Sequence, residues 1–391
     1  MYRTLKVPFK ASPNTIQKLF DIRRICGLIW NDCVQITRYY YRLGGKWITK
    51  TQLQSELKGL YPIHSQTIQA VAHKFLDARE GTKEARQKGF KQVRYPWKHK
   101  FVFNPKWVDK AFTLEGKKLT LSMGDWNGKR QPKLTLKLPK VPMGQVKEVE
   151  LVFDQKWFVC LSYDDGILEE SEKEGVVSSI DPGEIHTIAS VTEKGDSLVI
   201  TGRYMRSLHR LRNRKLGEIQ GFMSRFKKSS RKWRKYNRAK RSILSKSEAQ
   251  LKDALHKTTK QFVEWCLEHD VSHVVMGNPD GVQRNTKKKG KRQNNQKLSN
   301  WSFGKVYSLL KYKLEAKGIT IEKVDESYTT QTCPVCGNRK KSKNRNYHCK
   351  CGYKEHRDIH GARNILTKTL HGKMTYFDIH HPTYLRPVTL A

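Results

Sequence analysis

Apolar and polar positions alternate over residues 1–10 ("MYRTLKVPFK"), which predicts a strand. Over residues 13–43 the period changes: Ile16, Leu19, Phe20, Ile22, Cys26, Ile29 and Trp30 recur mostly at three- and four-residue steps, the spacing of an amphipathic helix. Leu53, Leu57, Ile68, Val71, Ala72 and Phe75 continue a helical pattern over about 50–90. From about 100 to 165 short alternating runs separated by turn residues return, as in "KLTLKLP", "VKEVELVF" and "WFVCLSYD". This first half therefore predicts a β-barrel or sandwich with a helical insert, closed by the N-terminal strand.

The polar, acidic stretch "GILEESEKEG" (166–175) marks a boundary. Three strands follow ("VVSSIDPG", "HTIASVT", "SLVITG"), joined by tight turns that suggest an antiparallel meander. A long basic helical stretch spans 203–270 and is expected to break near 226–236 ("FKKSSRKWRKY"). Its second half carries an apolar stripe of Leu251, Ala254, Leu255, Phe262 and Cys266, which reads as core packing. The strand "SHVVMGN", a basic loop (282–300), a helix (301–317), the strand "ITIEKVDE" and a last helix complete the chain. Three antiparallel strands extended by parallel ones, in this order with helices, is the order of an RNase H-like α/β layer.

Charge narrows the partners. The chain has 391 residues, with 77 Lys and Arg against 36 Asp and Glu, a formal net charge of +41. Phosphate backbone is the partner such a balance suits, because each neutralised phosphate releases counterions. No run of 18 apolar residues exists and "MYRTLKVPFKAS" has no apolar signal core, so a soluble, cytoplasmic, nucleoid-associated protein without membrane contact is expected. Charge alone fits a basic RNA scaffold as well as an enzyme.

Two constellations carry chemistry. "CPVCGNRKKSKNRNYHCKCGY" places Cys333, Cys336, Cys349 and Cys351 as two short-spaced pairs, the spacing of a tetrahedral structural Zn2+ site. The other four cysteines, Cys26, Cys33, Cys160 and Cys266, stand alone in apolar surroundings and read as buried thiols. Nucleases of the RNase H-like architecture hold Mg2+ with carboxylates at converging strand and helix ends. Asp181 closes the apolar strand "VVSSI" before a Pro-Gly turn, and Asp358 stands near the start of the last helix in "HRDIHGARNI".

With "IDPG", "SYTTQTCPVCG" with "CKCGY", and "RDIHGARNI" in this order, the chain resembles the TnpB (OrfB) family of insertion sequences, related to the type V CRISPR effectors. The resemblance is strong over about 176–370 and covers the first half only in layout. It implies an α+β multidomain chain: a wedge-like β-barrel (1–12 and 95–165), a helical recognition insert (13–94), a RuvC-like, RNase H-like domain (175–330 and 357–372), an inserted four-cysteine zinc ribbon (331–356) and a C-terminal tail (373–391). It also implies an RNA-guided, Mg2+-dependent DNA endonuclease, one protein per guide RNA, whose guide comes from the element's end. Such a protein reads a short motif beside the target on duplex DNA and leaves 5′-phosphate ends.

One acid is out of place. The family pattern puts a Glu at the end of the strand "VVMG", where this chain has Gly277. Asp280 follows in a turn, while Asp325 and Glu326 end the next strand. Neighbouring strands lie about 4.8 Å apart, so an acid on the next strand starts roughly 10 Å from the Asp181 strand. A family variant with this Gly and a Glu gained on the next strand implies the set Asp181, Glu326 and Asp358, with Asp325 and Asp280 as alternatives. A nuclease-inactive, RNA-guided repressor is the competing reading of Gly277. Arg357 and Arg363 flank Asp358 as candidates for phosphate or for bracing the helix, and Trp233 and Tyr236 are candidates for stacking on bases. Trp301 and Phe303 are expected to pack their helix down.

Overall fold

The computed structural model describes residues 2–166, 171, 174–279, 292–342 and 344–387. Asp280 and most of the basic loop expected at 282–300 lie outside the described residues; 292–300 form a helix. The chain divides into two compact units, Met1–Ile167 and Leu168–Ala391.

The first unit runs β1 (Tyr2–Pro8), α1 (Pro13–Gly44), α2 (Lys50–Leu57), α3 (Ser65–Gln87), β2 (Lys106–Val108), β3 (Phe112–Glu115), β4 (Lys118–Leu121), β5 (Asp125–Trp126), β6 (Lys129–Arg130), β7 (Leu134–Lys137), β8 (Gln145–Asp154) and β9 (Lys156–Asp164). Helix α1 starts where Ser12 accepts a hydrogen bond from the Thr15 N–H and Pro13 takes the first turn. It stops at Gly45, whose φ of 64° is left-handed. The helical pattern over about 50–90 forms two helices, interrupted around Pro62. The strands form separate sheets, β1-β9-β8-β2, β3-β4-β7 and β5-β6, rather than one continuous hydrogen-bonded ring. As expected, β1 joins the sheet by pairing antiparallel with β9. Helices and sheets share one core that includes Leu19, Trp30, Phe75, Trp107, Leu151 and Leu161.

The second unit is built on a six-stranded sheet. Its elements are β10 (Val176–Asp181), β11 (His186–Thr192), β12 (Ser197–Thr201), α4 (Arg203–Ser224), α5 (Arg231–Glu268), β13 (Val271–Gly277), α6 (Arg292–Asn300), α7 (Phe303–Glu315), β14 (Thr320–Val324), β15 (Asn346–His348), β16 (Lys354–His356), α8 (Arg357–His371) and β17 (Thr383–Leu385). The sheet order is β14-β13-β10-β11-β12-β17. β10, β11 and β12 form the antiparallel meander, and β13 and β14 continue it in parallel to β10. The segment expected as a tail supplies the opposite edge, since β17 pairs parallel with β12.

Both faces of this sheet are apolar and both are covered, which is why its strands lack strict alternation. Ile180, Ile188, Leu198, Ile200, Val274 and Met276 pack with α5 and α7; Ala189, Val191, Val199 and Val275 pack with Ile359, Ala362, Ile365 and Leu366 of α8. The break in the basic helical stretch falls at 225–230, earlier than expected, because Ser230 caps the new helix by accepting from the Trp233 N–H. Cys26, Cys33 and Cys266 are buried as expected, and burial pushes the first two thiols up to about 12; Cys160 is half-buried.

Candidate functional site

Three parallel strands bring their carboxyl ends side by side. Ile180 pairs with Met276 and Gly277 pairs with Val324, so Asp181, Gly277 and Val324 close β10, β13 and β14 in adjacent register. Such strand ends are where α/β sheets place ligands. Asp181 is backed by α8, where Gly361 is the residue that lets the helix approach: a Cβ there would collide with the Asp181 carboxylate.

Strand β14 stops at Val324, two residues short of Glu326, so face alternation does not choose between Asp325 and Glu326. The turn that follows does. The Glu326 carbonyl accepts from the Thr329 N–H (3.2 Å) and hydroxyl (2.9 Å), and the side chain folds back over Gly277. A Cβ on Gly277 would lie 2.5 Å from Glu326 Oε2 and 3.2 Å from Glu326 Cβ. Glu326 thus occupies the space a side chain at 277 would need. Asp325 is turned away and 67% exposed; it pairs with Lys368 Nζ at 2.6 Å and accepts from the Ser327 hydroxyl at 2.6 Å.

The electrostatics separate the two neighbours. The Lys368 and Ser327 hydrogen bonds hold Asp325 down to about 2. Burial, then the Asp325 charge, pushes Glu326 up to about 7. Asp181 is raised well above the carboxylate range by burial and by the charges of Asp358 and Glu326, against a smaller opposing effect of Arg357. Asp358 sits in the first turn of α8. Burial alone would raise its pKa, but the His186 hydrogen bond, His356 and Arg357 outweigh burial and hold it low. His186 Nδ1 lies 2.7 Å from Asp358 Oδ2, and Arg357 Nε lies 3.6 Å from Oδ1.

The donor set is all oxygen at Asp181 and Glu326, and burial disfavours the anionic form of both. A hard divalent cation fits that arrangement, because it takes carboxylate oxygens and relieves their repulsion. The four clustered cysteines fit a second ion. Cys333 and Cys351 Sγ are 3.6 Å apart, Cys336 and Cys349 Sγ 3.4 Å, and all four lie within 4.8 Å of one another, as a tetrahedral thiolate site for a zinc ribbon requires. The turn of the β15–β16 hairpin carries Cys349 and Cys351, the segment before it carries Cys333 and Cys336, and Tyr347 of β15 stacks on His360 of α8 at 4.0 Å.

Two arginines part company. Arg357 is 44% exposed beside Asp358, whereas Arg363 is 2% exposed and donates to the Tyr353 hydroxyl at 2.7 Å beside Glu355. Arg363 braces α8 and is not available to phosphate. Tyr236 stacks on Phe222 at 5.5 Å and on Phe226 at 5.8 Å, closing the turn between α4 and α5 instead of presenting a free ring to bases. Trp233 is half-buried in the first turn of α5. Trp301 and Phe303 pack against each other at 5.3 Å and line a cavity of about 600 Å³ with Arg203, Arg210 and Lys297 beside the Pro182-Gly183 turn. Sequence reasoning passed over His186 and His356, which the fold sets against Asp358; the "HRDIH" cluster of histidines was the available signal.

Known proteins match these two regions. The OrfB_IS605 family, described as a probable transposase, matches residues 158–283, and the TNB domain of Cas12f1-like proteins matches 303–365. A TnpB-like protein of Methanocaldococcus jannaschii is 26% identical over 165 residues, 41% of this chain and 56% of that protein. A CRISPR-associated endodeoxyribonuclease, Cas12f1 of an uncultured archaeon, is 28% identical over 138 residues, 33% of this chain and 26% of that one. The chain thus spans about half the length, or less, of these curated relatives. Among solved structures, a Cas12f1–sgRNA–target DNA complex aligns with a TM-score of 0.64 at 12% identity, covering 93% of this chain and 98% of that one. The mini-RNA-guided endonuclease Cas_phi3 aligns at 0.50 and 12% identity, covering 96% and 93%. These likenesses show a shared mixed α and β fold. The two family matches, over 158–283 and 303–365, make this part of the chain similar to TnpB-like proteins and to the type V effector Cas12f1.

Proposed function

We propose that the chain is an RNA-guided, Mg2+-dependent DNA endonuclease of a transposable element, with an RNase H-like, RuvC-type site formed by Asp181, Glu326 and Asp358. One observation carries the reading: the Glu326 side chain fills the space above Gly277, so the acid missing from one strand is supplied by the next. The charge of +41 and the guide RNA and target DNA named in the structural relatives support nucleic acid partners. The first unit, with its sheets and helices 13–87, is assigned to reading the short DNA motif.

Asp181, Glu326 and Asp358 would hold Mg2+, which would supply activation of water and charge stabilisation at the leaving oxygen. The chain's own residues do the rest. Asp181 is fixed by its strand end and by α8 packed at Gly361. Glu326 is fixed by its turn to Thr329. Both must be deprotonated to ligate, so their raised pKa values make proton release part of metal binding. Arg357, exposed at the rim, is the cation placed to meet a phosphate. The four cysteines hold a structural Zn2+.

The test is cleavage of a plasmid library with a matched target and randomised flanking bases, by the chain purified with RNA from its element's end. Cutting by the wild type, lost in Asp181→Ala and in Glu326→Ala, supports the site. Cutting that survives Glu326→Ala transfers the role to Asp325 or Asp280. Guided binding with no cutting by the wild type establishes a repressor and overturns the enzyme reading.

A further inference from the structure

The site has two chemically unlike ends. Asp181 and Glu326 offer only oxygen. Around Asp358 the fold gathers two imidazoles, and donor atoms of His186, His356 and Asp358 all lie within 4.8 Å of one another. The His186 and His356 rings are 5.2 Å apart, and His186 is 3% exposed. His186 has one ring nitrogen near the Tyr384 hydroxyl of β17 at 3.3 Å, which leaves Nδ1 directed at Asp358 Oδ2. His356 Nδ1 is buried and has no hydrogen-bond partner among the described residues. A buried ring nitrogen without a partner costs free energy unless something binds it.

We propose that His186, His356 and Asp358 form a mixed nitrogen–oxygen site for a first-row transition-metal ion, distinct in selectivity from the oxygen-only position at Asp181 and Glu326. Two imidazoles and one carboxylate suit such ions, whereas Mg2+ prefers an all-oxygen shell. On binding, the cation replaces the proton shared between His186 Nδ1 and Asp358 Oδ2. Three protein donors leave positions open for water or a phosphate oxygen. Tyr384 acts from outside, holding the His186 ring as a partner of a ligating histidine does. The site shares Asp358 with the nuclease reading and rests on that reading only for its consequence: the Asp358 end of the cleavage site would take Mn2+ at lower concentration than Mg2+.

The experiment is Mn2+ titration of the zinc-loaded chain followed by electron paramagnetic resonance, with electron spin echo modulation to detect 14N coupling. The expected result is a bound Mn2+ with nitrogen coupling, retained in Asp181→Asn. Single variants His186→Asn and His356→Asn should need at least tenfold more Mn2+ for half occupancy, and the double variant should lose the coupling. Bound Mn2+ without nitrogen coupling, or coupling unchanged in the double variant, overturns the proposal and leaves His186 as a brace for Asp358. Zinc content and the circular dichroism melt check folding, and the wild-type spectrum decides the matter if the variants do not fold. Neither guide nor DNA is present, so inability to cut DNA and inability to bind Mn2+ through nitrogen are read separately.

Discussion

The two candidate metal sites of the second unit contrast in how they are encoded. The cysteine cluster draws all four sulfurs from one short stretch, residues 333–351, and could offer a metal four donors. The proposed carboxylate site draws on residues 181, 326 and 358, from the end of a central strand, a turn after the edge strand and the first turn of a helix. Local chemistry specifies the first. The second exists only when β10, β13, β14 and α8 are packed together.

The contrast can be broken at either end. The largest effect is expected for Asp181→Ala: guided cleavage should fall by roughly 10³-fold, with guided DNA binding retained in a gel-shift assay. Gly277→Ala is sharper in meaning. Its Cβ would meet Glu326 Oε2 at 2.5 Å and must displace that carboxylate, so cleavage should drop by up to about 10²-fold, the scale of a 1 Å misplacement. Gly277→Glu combined with Glu326→Gly should recover part of the activity, by putting the acid on the strand that lacks it. No recovery, with the double variant folded, would mean that the backbone of the turn matters beyond its carboxylate.

At the cysteine end, Cys349→Ser should release zinc, measured by metal analysis, and lower the melting temperature by on the order of 10 °C, because metal binding there is folding energy. An unchanged melt would separate the ribbon from the stability of the second unit.

The smallest effect concerns pH. Glu326 is raised in the folded chain from 4.5 to about 7, so the unfolded chain loses this proton first as pH rises. Folded stability from this group is therefore full below about 4.5 and is lost as pH rises to about 7. In metal-free buffer, Glu326→Gln should melt about 2 °C above the wild type at pH 8 and show no gain at pH 4. Mg2+ should erase the difference at pH 8, and half-maximal Mg2+ for cleavage should fall as pH rises from 6 to 8. A gain that is independent of pH would show that Glu326 is not the strained acid.

Packing separated several readings that the sequence left open. Arg363 and Arg357 are both basic neighbours of Asp358, but α8 turns one into the interior, where Tyr353 and Glu355 engage it, and leaves the other at the rim. Tyr236 lies in a basic stretch suited to nucleic acid, yet Phe222 and Phe226 of the same hairpin engage its ring. The final segment has no strong pattern and was expected as a tail, but β12 offers a sheet edge that it completes.

By itself the sequence determined the elements whose signal is local: the strand and helix periods, the cysteine pairs and the acids that close "VVSSID" and open "RDIHGARNI". It also pointed to Glu326, through the empty position at Gly277. Only the tertiary structure shows that the Asp325 and Glu326 side chains diverge, because a turn and the Lys368 ion pair, not strand alternation, aim them. It alone set His186 against Asp358, 172 residues apart in the chain. The physical reason is the same in both cases: period and spacing act over a few residues, while the direction of a side chain beyond a strand end is fixed by whatever the fold packs against it.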